Sequence, residues 1–243
     1  MRFFFSKPKE TRSYNQVFVN DPTQELHSVV HTISETGPLR THNEDHLCVH
    51  FFNTENSELL CVIADGMGGH QAGEVASKIA CDALLEYLAQ SRRQMTGADF
   101  QQAFLQAHQY ILDDANAHPG RKGMGTTATA VFIKNNRLLF GHIGDSRLYH
   151  FTGDKLTQLT RDDTLVNDMY EKGEITKEER NHHSMKNVLT QALGTLQVIH
   201  PQCAETTVSG SDKLLLCSDG LYDVFSEKEL EDLLRMKGQS FAL

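Results

Sequence analysis

Apolar and polar positions follow two periods along this chain, and the switches between them divide it into strands and helices. Residues 59–64 (LLCVIA) form an unbroken apolar run, which reads as a strand buried on both faces and ending at Asp65. Residues 46–52 alternate, and the polar stretch 53–57 separates them from that run, so the two are predicted to pair as a hairpin. A glycine-rich turn (Gly66, Gly68, Gly69) follows Asp65. From 72 to 88 the apolar residues Ala72, Val75, Ala76, Ile79, Ala80, Ala83, Leu84 and Leu88 recur at three-four spacing, which predicts an amphipathic helix. Gly97 breaks it, and a second helix over 98–117 carries Phe100, Ala103, Phe104, Ala107, Ile111 and Ala115 on one face before Pro119-Gly120 ends it. Both stripes are predicted to lie on a sheet.

The second half returns to strand-like periods. Residues 123–133 begin with glycines and become β-branched, Asn135-Asn136 turns the chain into 137–143, and 148–151 and 155–160 continue what reads as an antiparallel meander. Residues 161–186 are charged and irregular with some helix, the profile of a mobile surface segment. Apolar or alternating runs at 188–193, 200–207 and 213–217 precede a last helix over 227–236. Before the hairpin, 28–34 reads as a strand and 14–19 as an edge strand. There is no repeat and no linker, so residues 27–243 are read as one domain behind an N-terminal extension, 1–26.

Composition narrows the class. The chain has 243 residues, 39% hydrophobic, enough for one large domain with a sizeable core. Its formal charge of −9 disfavours nucleic acid and anionic membranes as partners, since both reward basic patches. No apolar run reaches the roughly 20 residues of a membrane span, and MRFFFSKPKE lacks a signal-peptide core. Five scattered cysteines without a CxxC fit a reducing compartment. A soluble cytoplasmic protein is the expectation.

The candidate chemistry lies in carboxylates. Three apolar runs end in a glycine-flanked aspartate, at Asp65, Asp145 and Asp219. Glu44-Asp45 leads directly into a fourth strand, and Asp223 follows Asp219 by four residues. One such aspartate is an ordinary turn-former after a strand; the set is poorly explained that way. Carboxylates brought to one sheet edge repel and cannot all stay ionised without a cation among them. An oxygen-only donor set suits Mg²⁺ or Mn²⁺, and two such ions can share a water, lower its pKa and direct it at phosphorus. Arg40, five residues before Asp45, is the natural cation for phosphate oxygens.

Other readings are weaker. His42, His46 and His50 have four-residue spacing, but zinc ligands so spaced need a helix and His46–His50 falls in a predicted strand. Gly125-Thr126-Thr127 has no following lysine and is not a phosphate-binding P-loop; close packing beneath the acidic site is the better reading. Cys217 sits in an apolar run without a downstream arginine cradle, which suits a core residue rather than a nucleophile.

The ordered set R-x-x-N-E-D, V-I-A-D-G-M-G-G, G-T-T-A, G-D-S-R and C-S-D-G-L-x-D, spread over residues 31–224, resembles the bacterial branch of the metal-dependent, type-2C protein serine/threonine phosphatases. The resemblance implies an α+β fold, a four-layer α-β-β-α sandwich of two antiparallel sheets flanked by helices. It implies a monomeric enzyme that hydrolyses phosphoserine and phosphothreonine by attack of a water bridging two Mn²⁺ or Mg²⁺ ions, on the protein substrates of a cognate kinase. Carried over by position, Asp65 would bridge both metals, the Gly66 carbonyl would ligate one, Asp219 the other, and Glu44 would act through water. Asp45 would support the site and Arg40 would hold the substrate phosphate. Asp145 and Asp223 would hold a third, weaker metal, and 161–186 would be the flap beside the site.

The chain departs from that pattern in places. Met67 stands where many eukaryotic relatives have a histidine, as it does in bacterial members, and Asp162-Asp163-Thr164 stands where the family often has Asp-His-Ser. The family continues to a Gly-Asp-Asn and a last strand, neither of which has a counterpart before Leu243. Reduced metal affinity, with a phosphoprotein-binding module of impaired activity as the alternative, is the corresponding expectation.

Overall fold

The computed structural model describes residues 2–3, 28–37, 40–53, 57–68 and 72–236. The predicted edge strand at 14–19, the turn residues Gly69 and His70, and residues 237–243 lie outside the described residues. Along the chain come β1 (Arg2–Phe3), β2 (Val29–Val30), β3 (Asp45–Phe51), β4 (Glu58–Met67), α1 (Ala72–Ser91) and α2 (Gly97–Ala117). Next are β5 (Gly125–Thr126), β6 (Ala128–Lys134), β7 (Arg137–Ile143), β8 (Arg147–Thr152) and β9 (Lys155–Gln158). The chain continues through α3 (Leu165–Glu171), α4 (Lys177–His182), β10 (Gln202–Thr207), β11 (Lys213–Cys217), α5 (Asp219–Tyr222) and α6 (Glu227–Arg235).

Among the described residues the larger sheet runs β10-β7-β6-β4-β3, with β5 also paired to β4, and the smaller runs β11-β8-β9; β1 and β2 form a separate parallel pair. Every pairing within the two larger sheets is antiparallel. Three apolar layers hold them together. Leu60, Val62, Ala130 and Phe132 face α1 and α2. Leu59, Cys61, Val131 and Ile133 face Leu148, Leu214 and Leu216 across the two sheets. Tyr149, Phe151 and Leu215 meet Leu230 and Leu234 of α6. Helix, sheet, sheet and helix thus stack as four layers, the expected α+β sandwich. The continuous apolar run of β4 follows, because both of its faces are covered. No helix among the described residues is long and apolar enough to cross a membrane.

Three expectations need correction. The run at 59–64 does not end at Asp65: β4 continues to Met67, because Gly66 and Met67 pair with Thr126 and Gly125. The meander splits, since β6 and β7 pair in the larger sheet while β8 and β9 pair in the smaller one, with Gly144-Asp145-Ser146 crossing between. The expected strand at 28–34 is confined to Val29–Val30. Segment 161–186 contains α3 and α4, and its base is buried: Asp162, Asp163, Thr164 and Asn167 are inside.

Candidate metal and phosphate site

β3 and β4 present the first carboxylates together. Their register sets Asp45 directly opposite Asp65, a cross-strand like-charge pair that is unfavourable unless something neutralises it. The backbone around Asp65 is fully bonded. Its N–H donates to Thr127 Oγ1 at 3.0 Å, and its carbonyl accepts from Thr127 N–H and from Thr126 Oγ1, each at 2.9 Å. Thr127 Oγ1 shares a 2.6 Å hydrogen bond with Ser146 Oγ in the crossover that carries Asp145. The glycine-threonine stretch therefore packs beneath the acidic site, as its sequence predicts.

Glu44 is brought in by backbone contacts. Its carbonyl accepts from Gly66 N–H at 3.1 Å and from Ser77 Oγ of α1 at 2.6 Å. Gly73, at the start of α1, lies so close to Gly66 that a Cβ on either would collide with the other's backbone, and one on Gly73 would also strike Glu44 Oε1. Two glycines are the condition for this approach. Glu44 Oε1 is buried without a hydrogen-bond partner.

β11 ends at Cys217, and α5 begins with Asp219. The intervening Ser218 donates through Oγ to Asp45 Oδ2 at 2.8 Å, which ties α5 to β3. Asp45 is further fixed by its N–H, which donates to Asn43 Oδ1. Arg40, Glu44, Asp65, Asp145 and Asp219 line one cleft of about 520 Å³.

Electrostatically these carboxylates are in conflict. Burial pushes Asp145 up to about 7, with the Asp219 charge adding to it. Burial also raises Asp65 well above the carboxylate range, with Asp45, Asp219 and Asp145 raising it further. Asp45 and Asp219 are raised by burial too, Asp219 next by Asp223. Arg40 stands 3.6 Å from Glu44 with its side chain 76% exposed, so it borders the cleft without neutralising it.

The donor set fits divalent cations. It is all oxygen, its members disfavour each other's charge, and it includes an orphaned buried carboxylate oxygen. Among the described residues no three His, Cys, Asp or Glu side chains form a ready-made metal cage. An ion such as Mg²⁺ that keeps several waters does not require one.

Seven of the eight sequence-derived site residues meet here. Asp223 lies one turn past Asp219 and pairs with Lys186 Nζ at 2.6 Å rather than lining the cleft. Sequence reasoning missed Ser218 and Ser146 as supports. A hydroxyl placed beside a strand-terminal aspartate (Ser218-Asp219, Asp145-Ser146) is the signal that could have found both. It also missed Asp163, whose Oδ2 accepts from Gly144 N–H at 3.0 Å and whose N–H donates to Gly144 O at 2.7 Å. Cys217 is buried in β11, and burial pushes its thiol up to about 12, which disqualifies it as a nucleophile.

Several known proteins share this arrangement of sequence and fold. The Listeria innocua serine/threonine phosphatase Stp is 34% identical over 208 residues, covering 84% of this chain and 82% of that one. The crystal structure of Staphylococcus aureus serine/threonine phosphatase Stp1 superposes with a TM-score of 0.77 at 29% identity, over 91% of this chain and 88% of that one. The catalytic domain of the serine/threonine protein phosphatase PstP, solved in complex with two manganese ions, gives a TM-score of 0.70 at 34% identity, over 83% and 82%. The family model described as protein phosphatase 2C matches residues 40–241. With that match over most of its length, the chain belongs to the protein phosphatase 2C family.

Proposed function

We propose that this protein is a metal-dependent phosphatase that hydrolyses phosphoserine and phosphothreonine esters of proteins in the cleft between β4, β3 and α5. The observation that carries the reading is the half-buried group Asp45, Asp65, Asp145 and Asp219, gathered at one edge and pushed toward protonation with no internal cation bonded to them among the described residues, beside an exposed arginine. Asp65, the Gly66 carbonyl, Glu44 and Asp219 would hold two Mn²⁺ or Mg²⁺ ions; Asp145 would hold a third, weaker one, with Asp223 joining it on release from Lys186. Bound divalent cations supply Lewis acidity toward a water nucleophile and toward the phosphoryl oxygens.

The chain's own residues do the positioning. Arg40, held near Glu44 only at 3.6 Å, turns its guanidinium to two phosphoryl oxygens. Asp45, fixed by Ser218 and Asn43, holds its carboxylate against Asp65 and keeps the acidic edge in register. In the reaction the P–O bond to the serine or threonine oxygen breaks, a P–O bond to water forms, and the freed alcohol carries away a proton. The substrates are those of a cognate serine/threonine kinase, and the enzyme works as a cytoplasmic monomer, in line with its acidic composition and free cysteines.

The test is p-nitrophenyl phosphate hydrolysis across a Mn²⁺ titration, with an EDTA control and Asp65→Asn in parallel. Saturable turnover that chelator and variant both abolish is the expected result. A folded chain that binds phosphoprotein and never turns over would put a binding module in its place.

A further inference from the structure

One stretch that lines the cleft differs in character from its carboxylates. Residues 187–199 (NVLTQALGTLQVI) carry no charged side chain, in a chain that is 23% charged. Leu189, Ala192, Thr195 and Leu196 of this stretch line the cleft. Leu196 is 39% exposed, Val188 46% and Val198 65%. Of these only Leu196 lines the cleft, and a large apolar side chain left in water within a polar site marks a surface that receives something.

This wall is rigidly built. Leu193 and Thr126 exchange backbone hydrogen bonds, Thr126 N–H to Leu193 O at 3.1 Å and Leu193 N–H to Thr126 O at 2.9 Å. Thr126 also bonds Asp65, so the wall and the acidic edge share one support. Gly194 N–H donates to Nδ1 of the buried His108 on α2 at 3.0 Å. Gly194 has φ +82°, and a Cβ there would strike Ile111 and the Met124 carbonyl, so the chain passes this point only as glycine. The exposed Leu196 lies two residues past this anchored point.

We infer that residues 188–198 form the subsite for the polypeptide on either side of the phosphorylated residue, and that it selects substrates whose flanking residues are apolar or uncharged. This rests on the phosphatase reading above. Arg40 fixes where the phosphoryl group sits, and the uncharged stretch lines the same cleft, so the flanking backbone would pass over it. The stretch 187–199 itself offers acidic flanking residues no cation to pair with. Lys186, which precedes the stretch in sequence, is already held by Asp223. Apolar flanking residues would cover Leu196 and Val198 and remove their exposed surface from water.

The experiment compares short phosphothreonine peptides that differ only in the two residues on each side: Leu/Val, Gln/Ala or Asp/Glu. Turnover is read relative to p-nitrophenyl phosphate, with wild type, Leu196→Asp and Val198→Asp. The apolar-flanked peptide is expected to exceed the acidic one roughly tenfold in kcat/KM, chiefly through KM, and each variant to shrink that ratio severalfold. Equal ratios across peptides or variants, with p-nitrophenyl phosphate turned over normally, overturn the subsite. No turnover of p-nitrophenyl phosphate sinks the phosphatase reading alone. Fluorescence anisotropy with the same peptides then decides: preference for apolar flanks supports the subsite and indifference removes it. Dimerisation at assay concentrations that Leu196→Asp abolishes would mean a second copy covers this wall, which also overturns the proposal.

Discussion

Two acidic groups, one buried and one half-buried, lie within one fold and are treated in opposite ways. At the flap base, Asp162 takes a bidentate grip from Arg147, at 3.0 and 2.6 Å, and the same guanidinium lies 3.7 Å from the Tyr222 ring centre. Asp163 bonds Gly144 N–H and Gln202 and stands 3.4 Å from Arg161, which also holds Asp168 and Glu171. In the cleft, Asp45, Asp145 and Asp219 act on Asp65 instead; Ser218 Oγ donates to Asp45, and among the described residues no guanidinium is hydrogen-bonded to any of the four, Arg147 and Arg40 reaching Asp145 and Asp219 only through their field. A carboxylate group that carries its own arginines is structural; one that lacks them is completed by a cation from outside.

The largest effect separates stability from activity in the cleft. Asp65→Asn is expected to reduce phosphatase activity on the order of 10³-fold or more, because a proposed shared ligand is lost. The same change removes one of four mutually repelling carboxylates. Thermal melting of the metal-free variant should therefore lie above that of the metal-free wild type. A variant that melts lower would mean that Asp65 is held by favourable contacts and that the two groups do not differ in kind.

The flap base should respond in reverse. Arg147→Met leaves Asp162 buried without its partner, a loss of about 3–5 kcal/mol in denaturant unfolding. Mn²⁺ should not restore it. Full rescue by Mn²⁺ would show that this group too is a cation site.

What was legible in the sequence divides along the same line. Asp65, Asp145 and Asp219 could be found because each closes an apolar run, and the 3–4 spacing of Ala72–Leu88 and Phe100–Ile111 marked the helices that cover the sheet. The partners that determine how each carboxylate is treated are distant in sequence. Ser218 reaches Asp45 across 173 residues, and Thr127 reaches Asp65 across 62. β4 runs past Asp65 only because Gly125 and Thr126 return to pair with it. The crossing at Gly144 moves β8 into the other sheet, where it pairs with β11. No local period records these pairings, since period reports burial and not which strand lies opposite. Arg147 and Asp162 were read as pieces of two motifs, and their salt bridge exists only once the flap folds back onto β8.

The acid response distinguishes the two groups with a smaller signal. A carboxyl near 4 in the unfolded chain and raised to about 7 in the fold, as Asp145 is, binds its proton more tightly when folded. Stability is then greatest at acid pH and falls as pH rises through that window, flattening above about 7. Asp45, Asp65 and Asp219 shift in the same direction. Metal-free protein is expected to melt on the order of 5 °C lower at about pH 7.5 than at about pH 5.5, with Mn²⁺ reversing the loss. Asp163, raised to about 6 by burial, contributes with the same sign, but Mn²⁺ should not reverse its share. A pH-independent melt, or one that Mn²⁺ leaves unchanged, would contradict the charge conflict in the cleft.

The Lys186–Asp223 pair stands between the two cases: one acid of the proposed cation-binding set already holds an internal cation. Both side chains are more than a third exposed, 37% and 36%, so the pair adds little to folding. Lys186→Met should move unfolding stability by no more than about 0.5 kcal/mol. What it should change is cation uptake, because an ammonium tethered 2.6 Å from Asp223 competes with any ion reaching that carboxylate, and its charge also acts on Asp219. Calorimetric titration of Lys186→Met with Mn²⁺ is expected to show the weakest binding event tightening by roughly two- to fivefold, as loss of one screened charge near the surface predicts. The tighter events, farther from the lysine, should stay where they were. A shift spread equally over all events would mean that Lys186 acts on the whole cleft through its field. No shift at all would place Asp223 outside the cation-binding group, with the structural carboxylates of the flap base.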